Sequence, residues 1–143
     1  MNVFFYSPRR AACPNDCSYP DCAERCLWAL RSRPVLSTVE RLPYGALFPL
    51  PKRAPLRSGD LIIVHIADLR ELENLIDHRQ ALAHYRLVLI VSDQVYDGSR
   101  RYHLLNPRYI ATTRQNAGDL ETVVNRIAQQ VDAEPEPVRA VSH

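Results

Sequence analysis

Two short apolar runs give the chain its clearest pattern. Residues 60–66, DLIIVHI, and 86–93, RLVLIVSD, are dense in leucine and β-branched side chains with few polar interruptions. Such runs fit strands covered on both faces, as in a parallel sheet. Between them Leu69, Leu72, Leu75, Ile76, Leu82 and Ala83 recur at helical spacing among charged positions. Asp68 followed by Glu71 has the form of an N-terminal cap. Residues 60–93 thus read as a βαβ unit, whose crossover is expected to be right-handed.

The same patterns place the other elements. VFFY (Val3–Tyr6) predicts a first, central strand closed by Ser7 and Pro8. After a turn-rich segment over 9–20, a helix is predicted from near Asp21 through CAERCLWALRSR, stopping before Pro34. Its inward face is Cys22, Cys26, Leu27 and Leu30, with Trp28 at the edge. VLSTVERL (Val35–Leu42) alternates and predicts a second strand. Pro43, Pro49, Pro51 and Pro55 exclude a long helix over 43–59 and predict an irregular connection. Asp97-Gly98-Ser99 signals a turn, SRRYHLL a short helix stopped at Asn106-Pro107, and RYIATT a fifth strand. Asn116 caps a last helix striped by Leu120, Val123, Val124, Ile127 and Val131. Residues 132–143, with Pro135 and Pro137, are expected to be a disordered tail behind a folded domain at 1–131.

Five strands alternating with helices make the doubly wound, three-layer α/β/α plan, with ligands expected at the carboxyl ends of the strands. Composition alters this little. A chain of 143 residues, 46% hydrophobic and 24% charged, has the size and balance of one globular domain. A net charge of +2 is too small to point to nucleic acid, and the arginine groups around Arg9, Arg53 and Arg100 lack an aromatic platform. No apolar run approaches the ~18 residues needed to span a bilayer. MNVFFYSPRR does not have the form of a signal peptide, so the expected location is the cytoplasm, with no membrane partner.

Cysteine usage does change the picture. Cys13, Cys17, Cys22 and Cys26 are all the cysteines of the chain, and they fall together in the segment 9–26. Three readings stay open. Four thiolates hold Zn²⁺ or an iron–sulfur cluster, although C-x₃-C-x₄-C-x₃-C departs from common zinc spacings. Disulfides, for example Cys13 to Cys26 with Cys17 to Cys22, would make a redox switch. Alternatively, Cys22 and Cys26 are small buried hydrophobes on one helix face, and Cys13 and Cys17 are loop thiols. The first reading makes the chain a small metal-binding or iron–sulfur redox protein working through this cluster.

Over residues 1–131, and best from Asp60 onward, the chain resembles the receiver domain of bacterial response regulators. DLIIVHI is similar to that family's third strand, LVLIVSD to its fourth, and RYIATT with the capped helix behind it to its fifth strand and final helix. The resemblance implies a flavodoxin-like, five-stranded parallel sheet of order 2-1-3-4-5. A receiver needs an acceptor aspartate, two more carboxylates for Mg²⁺, a hydroxyl and a lysine. Here His65 stands at the acceptor position, Ser7 closes the strand where the acidic pair belongs, and Thr112 or Thr113 replaces the lysine. Only Ser92 matches, as the hydroxyl. Imidazole does not substitute for the hard oxygen ligands Mg²⁺ requires.

What the resemblance implies is therefore a degenerate, or pseudo-receiver, domain. Such a domain is expected to be non-enzymatic and to signal without phosphorylation; combined with the metal or redox reading of the cysteines, its input is expected at the four-cysteine segment. It would dock a protein partner or a second copy through the final-helix face around Tyr102, Tyr109, Leu120 and Val124. Tyr109 falls where receivers place an aromatic switch residue. For His65 two readings remain: acid–base chemistry with Asp68 orienting it and Ser92 in reach, or an imidazole filling the vacated acidic pocket. No Gly-x-Ser-x-Gly elbow accompanies it. His78, His84, His103 and His143 have no metal-ligand spacing and read as surface residues.

Overall fold

The computed structural model describes residues 2–7, 23–42, 56–93, 95–98, 100–114 and 116–133. Five strands, β1 (Val3–Tyr6), β2 (Glu40–Arg41), β3 (Leu61–Ile66), β4 (Arg86–Val91) and β5 (Tyr109–Thr112), form one sheet of order β2-β1-β3-β4-β5. Every neighbouring pair is parallel. This is the flavodoxin-like α/β arrangement. The interior position of β1 is as expected, but β3 holds the middle of the sheet.

Period-two alternation divides the core into two layers. Ile62, Val64 and Ile66 of β3 join Leu87, Leu89 and Val91 of β4 on one face. They pack under α2 (Leu69–Asp77), α3 (Arg79–Leu82) and a 3₁₀ segment at Arg100–Leu105, which contribute Leu72, Leu75, Leu82 and Tyr102. Leu61, Ile63, Val88 and Ile90 line the other face, beneath α1 (Ala23–Arg31) and α4 (Ala117–Ala133). All six residues of β3 are buried, which is why its run carries no polar alternation. Among the described residues no helix is long and apolar enough to cross a membrane.

The caps form as the sequence suggests. Asp68 Oδ1 accepts from the Glu71 N–H at 2.9 Å, and Glu71 Oε1 accepts from the Ala67 N–H at 2.8 Å. Asn116 Oδ1 accepts from the Asp119 N–H at 2.9 Å and starts α4. Gly98, in the expected turn, has φ of 70°. Asp60, buried at the amino end of β3, accepts from the N–H groups of Asn2 and Arg57 at 3.1 and 2.9 Å. It ties β1 to the turn that enters β3.

Two elements differ from expectation. The second strand is not Val35–Leu42: Pro34–Leu36 is a 3₁₀ turn, and only Glu40–Arg41 pairs with β1. Proline at the first position of a helical turn costs nothing, since its missing N–H would have had no partner there. Glu121 of α4 then fastens that turn, accepting from the Val35 N–H at 2.8 Å and pairing with Arg33 at 3.0 Å. The Val35 N–H first, with Arg33 adding to it, holds the Glu121 carboxyl below the usual carboxylate range. Leu36, Val39 and Leu42 are still buried, so the apolar spacing was real but was met by a turn and a short strand. The helix of the βαβ unit is also broken in two, because His78 leaves helical geometry at φ −107° and ψ 19°. Leu69, expected inside, is 39% exposed. The expected irregular connection lies mostly outside the described residues, as does the tail beyond Ala133; α4 itself runs slightly past the expected domain end.

Candidate functional site

The carboxyl edge of the sheet gathers the polar residues that the sequence singles out. Tyr6 pairs with Val64, so Ser7 follows level with His65, while His65 pairs with Ile90 of β4. Ser92 continues β4 and donates its N–H to the Ile66 carbonyl at 2.8 Å. Ser7, His65 and Ser92 are 4%, 0% and 4% exposed. With Asp60 at the opposite edge, they are the buried polar side chains among the described residues. Three of these four therefore sit at the strand ends where a doubly wound sheet binds its ligands.

His65 occupies the face of the sheet beneath α1 and α4, by alternation with Leu61 and Ile63. Its ring lies 6.4 Å from that of Phe5, tilted by 43°. Asp68 is committed to its helix cap, so the structure does not bring it to His65 as an orienting carboxylate. The His65 imidazole is closed off from solvent.

The fifth strand distinguishes its two threonines. Thr112 pairs with Val91, which places Thr113 level with Ser92 and on the same face as His65. Thr113 donates its N–H to the Val91 carbonyl at 3.0 Å, and its Oγ1 accepts from the Asp93 N–H at 3.0 Å. Arg114 then pairs with Asp93 at 2.8 Å. This Thr113–Asp93–Arg114 staple was not foreseen; the only hint was an acid directly after Ser92 and an arginine directly after the two threonines. Among the described residues, the acids Asp68 and Glu71 are engaged in a cap and Asp93 with arginine. Among the described residues no three His, Cys, Asp or Glu side chains are grouped to hold a metal ion.

Cys13, Cys17 and Cys22 lie outside the described residues. Cys26 is half-buried on α1. His78, His84 and His103 are exposed, as expected, and His143 lies outside the described residues.

The four residues expected to form a docking face require correction. Tyr102 is 0% exposed within the core under α2, and its hydroxyl points toward the Val95 carbonyl at 3.5 Å. Burial, with Asp97 nearby, pushes its phenol pKa upward. Leu120 and Val124 face the sheet at 3% and 1% exposure, and Tyr109 is half-buried against the same core. These side chains hold the fold together, because α4 turns its apolar stripe inward and presents Thr122, Asn125, Arg126 and Gln129 outward. The large apolar side chains that do face solvent include Trp28, Val35, Tyr96 and Leu104.

No protein-family model, curated protein or solved structure matches this chain. The functional reading therefore rests on the residues themselves.

Proposed function

We propose that this chain is a non-enzymatic signalling and protein-interaction module of pseudo-receiver type, working without phosphorylation. The observation that carries the reading is the buried trio at the carboxyl edge. His65 is buried at that edge with Ser7 and Ser92, and in this reading its imidazole takes the place of a receiver's acceptor carboxylate. Magnesium needs several hard oxygen ligands in octahedral array, and carboxylates normally supply the charge. Two serine hydroxyls and an imidazole do not meet that need. Phosphoryl transfer without the metal leaves the charge of the transferring group uncompensated.

In this reading the sheet is a scaffold and the output is a contact. A partner or second copy would meet the outward side of α4 and the neighbouring exposed part of α1, rather than the inward residues of the stripe. The test is incubation of the purified protein with a small-molecule phosphodonor and Mg²⁺, followed by intact-mass measurement. The expected result is an unchanged mass. A stoichiometric, acid-stable but base-labile phosphoryl adduct would overturn the proposal.

A further inference from the structure

Of the chain's aspartates and asparagines, only Asp97 is followed by glycine. The pair lies in the connection from β4 to the 3₁₀ segment at Arg100–Leu105, shortly after Asp93 of the carboxyl edge. Both residues are exposed, and the Asp97 side chain keeps 48% of its surface open to solvent. What the sequence marks as a turn, the structure makes an open one. Gly98 has φ of 70°, and a methyl group placed on its Cα would meet nothing within 4 Å. Among the described residues its N–H donates to no group. A backbone amide outside every ladder and cap is restrained only by its neighbours in the chain.

The contacts around Asp97 leave its carboxyl accessible. Arg101 approaches it at 3.9 Å and reaches Glu73 at 3.6 Å, and each of the three side chains is at least 41% exposed. Shared, solvated pairs of this kind hold a carboxylate weakly. The anchor of residue 97 lies instead in its backbone, whose N–H donates to the Tyr102 phenol oxygen. The chain is thus held just before the carboxyl and open just after it.

We infer that Asp97-Gly98 is a site of spontaneous backbone isomerisation, at which aspartate becomes isoaspartate. The Gly98 nitrogen attacks Cγ of the protonated Asp97 carboxyl. A C–N bond forms there, and the hydroxyl leaves with the amide proton as water, closing a succinimide ring. Water then adds to the ring carbon that was the Asp97 backbone carbonyl, and the bond from that carbon to the Gly98 nitrogen breaks. The main chain now runs through Cβ and Cγ, and the former carbonyl carbon is a free carboxylate. No oxidant or other reagent is consumed, and the mass is unchanged. Glycine permits the step because a side chain on the following residue would crowd the attacking nitrogen. The product lengthens the connection next to the carboxyl edge by one backbone carbon. Nothing in this chemistry depends on the pseudo-receiver reading.

The test is warm incubation of the full chain in oxygen-labelled water near neutral pH. Peptide mapping follows, with methyl transfer from S-adenosylmethionine by an isoaspartyl methyltransferase as the second readout. The peptide holding Asp97 should gain one heavy oxygen and become a methyl acceptor. Asp97→Glu keeps the charge but needs a larger, slower-closing ring, so that peptide should lose both signals. Asp97→Asn should react faster, releasing ammonia in place of water. Both changes fall at an exposed position and should keep the wild-type unfolding midpoint. A wild-type peptide that takes up neither heavy oxygen nor methyl groups would overturn the inference. So would undiminished signals in Asp97→Glu, or an Asn variant no faster than the wild type.

Discussion

Replacing His65 with aspartate, the residue that the proposed pseudo-receiver reading takes to be lost there, should destabilise the protein strongly and still leave it unphosphorylated. His65 is 0% exposed, paired with Ile90 in the middle of the sheet and covered by α1 and α4. A carboxylate at this position loses its hydration among Phe5, Ile63 and Ile90. The cost of an uncompensated buried charge is about 3–5 kcal/mol. That is a large part of the roughly 5–15 kcal/mol by which domains of this size are stable. His65→Asn has nearly the same shape without the charge, so it should lose distinctly less. Chemical denaturation of the three proteins separates the two contributions. Equal losses in the Asp and Asn variants would show that shape, not charge, governs this position. A phosphorylatable Asp variant would show that the pocket retains more of the receiver chemistry than its side chains indicate.

The second large effect is expected at Tyr102. Tyr102→Ala removes a fully buried ring from the layer formed with Leu72, Leu75 and Leu82, and should cost about 3–5 kcal/mol. Tyr102→Phe should be nearly silent, because the hydroxyl contact to Val95 is at the long limit of a hydrogen bond at 3.5 Å. Thermal or denaturant unfolding reads both. If Tyr102→Ala keeps its stability and instead loses binding to a partner, the residue belongs to a docking face after all.

These two residues mark what the sequence makes legible and what it hides. The βαβ unit could be read because strands buried on both faces leave an apolar run that few other structures explain. Once β1, β3 and β4 are placed, their ends follow, and with them Ser7, His65 and Ser92. β5 ends within a pair of threonines, and local pattern does not choose between them; the pairing of Thr112 with Val91 does. The Asp93–Arg114 pair depends on two distant strand ends meeting, which no local pattern records.

Tyr102 was misread for a different reason. It sits among arginines and a histidine, in a stretch that looks solvated. In a 3₁₀ segment residues three apart lie one above the other, so Tyr102 and Leu105 share one inward side, and both are buried. That spacing was the available signal. The second strand, shorter than expected, shows the reverse case: Leu36, Val39 and Leu42 are as buried as strand residues would be, but Pro34 and the grip of Glu121 shape Pro34–Leu36 as a turn and leave only Glu40–Arg41 as strand.

The central proposal is that the described side chains of the carboxyl edge around His65 do not hold magnesium or a phosphoryl group. Amide NMR of the labelled protein tests it most directly, with Mg²⁺ added first and beryllofluoride, a phosphoryl mimic, added next. The resonances of Ser7, Ser92 and Thr113 should stay where they are through both additions. Saturable shifts confined to those three residues would contradict the account.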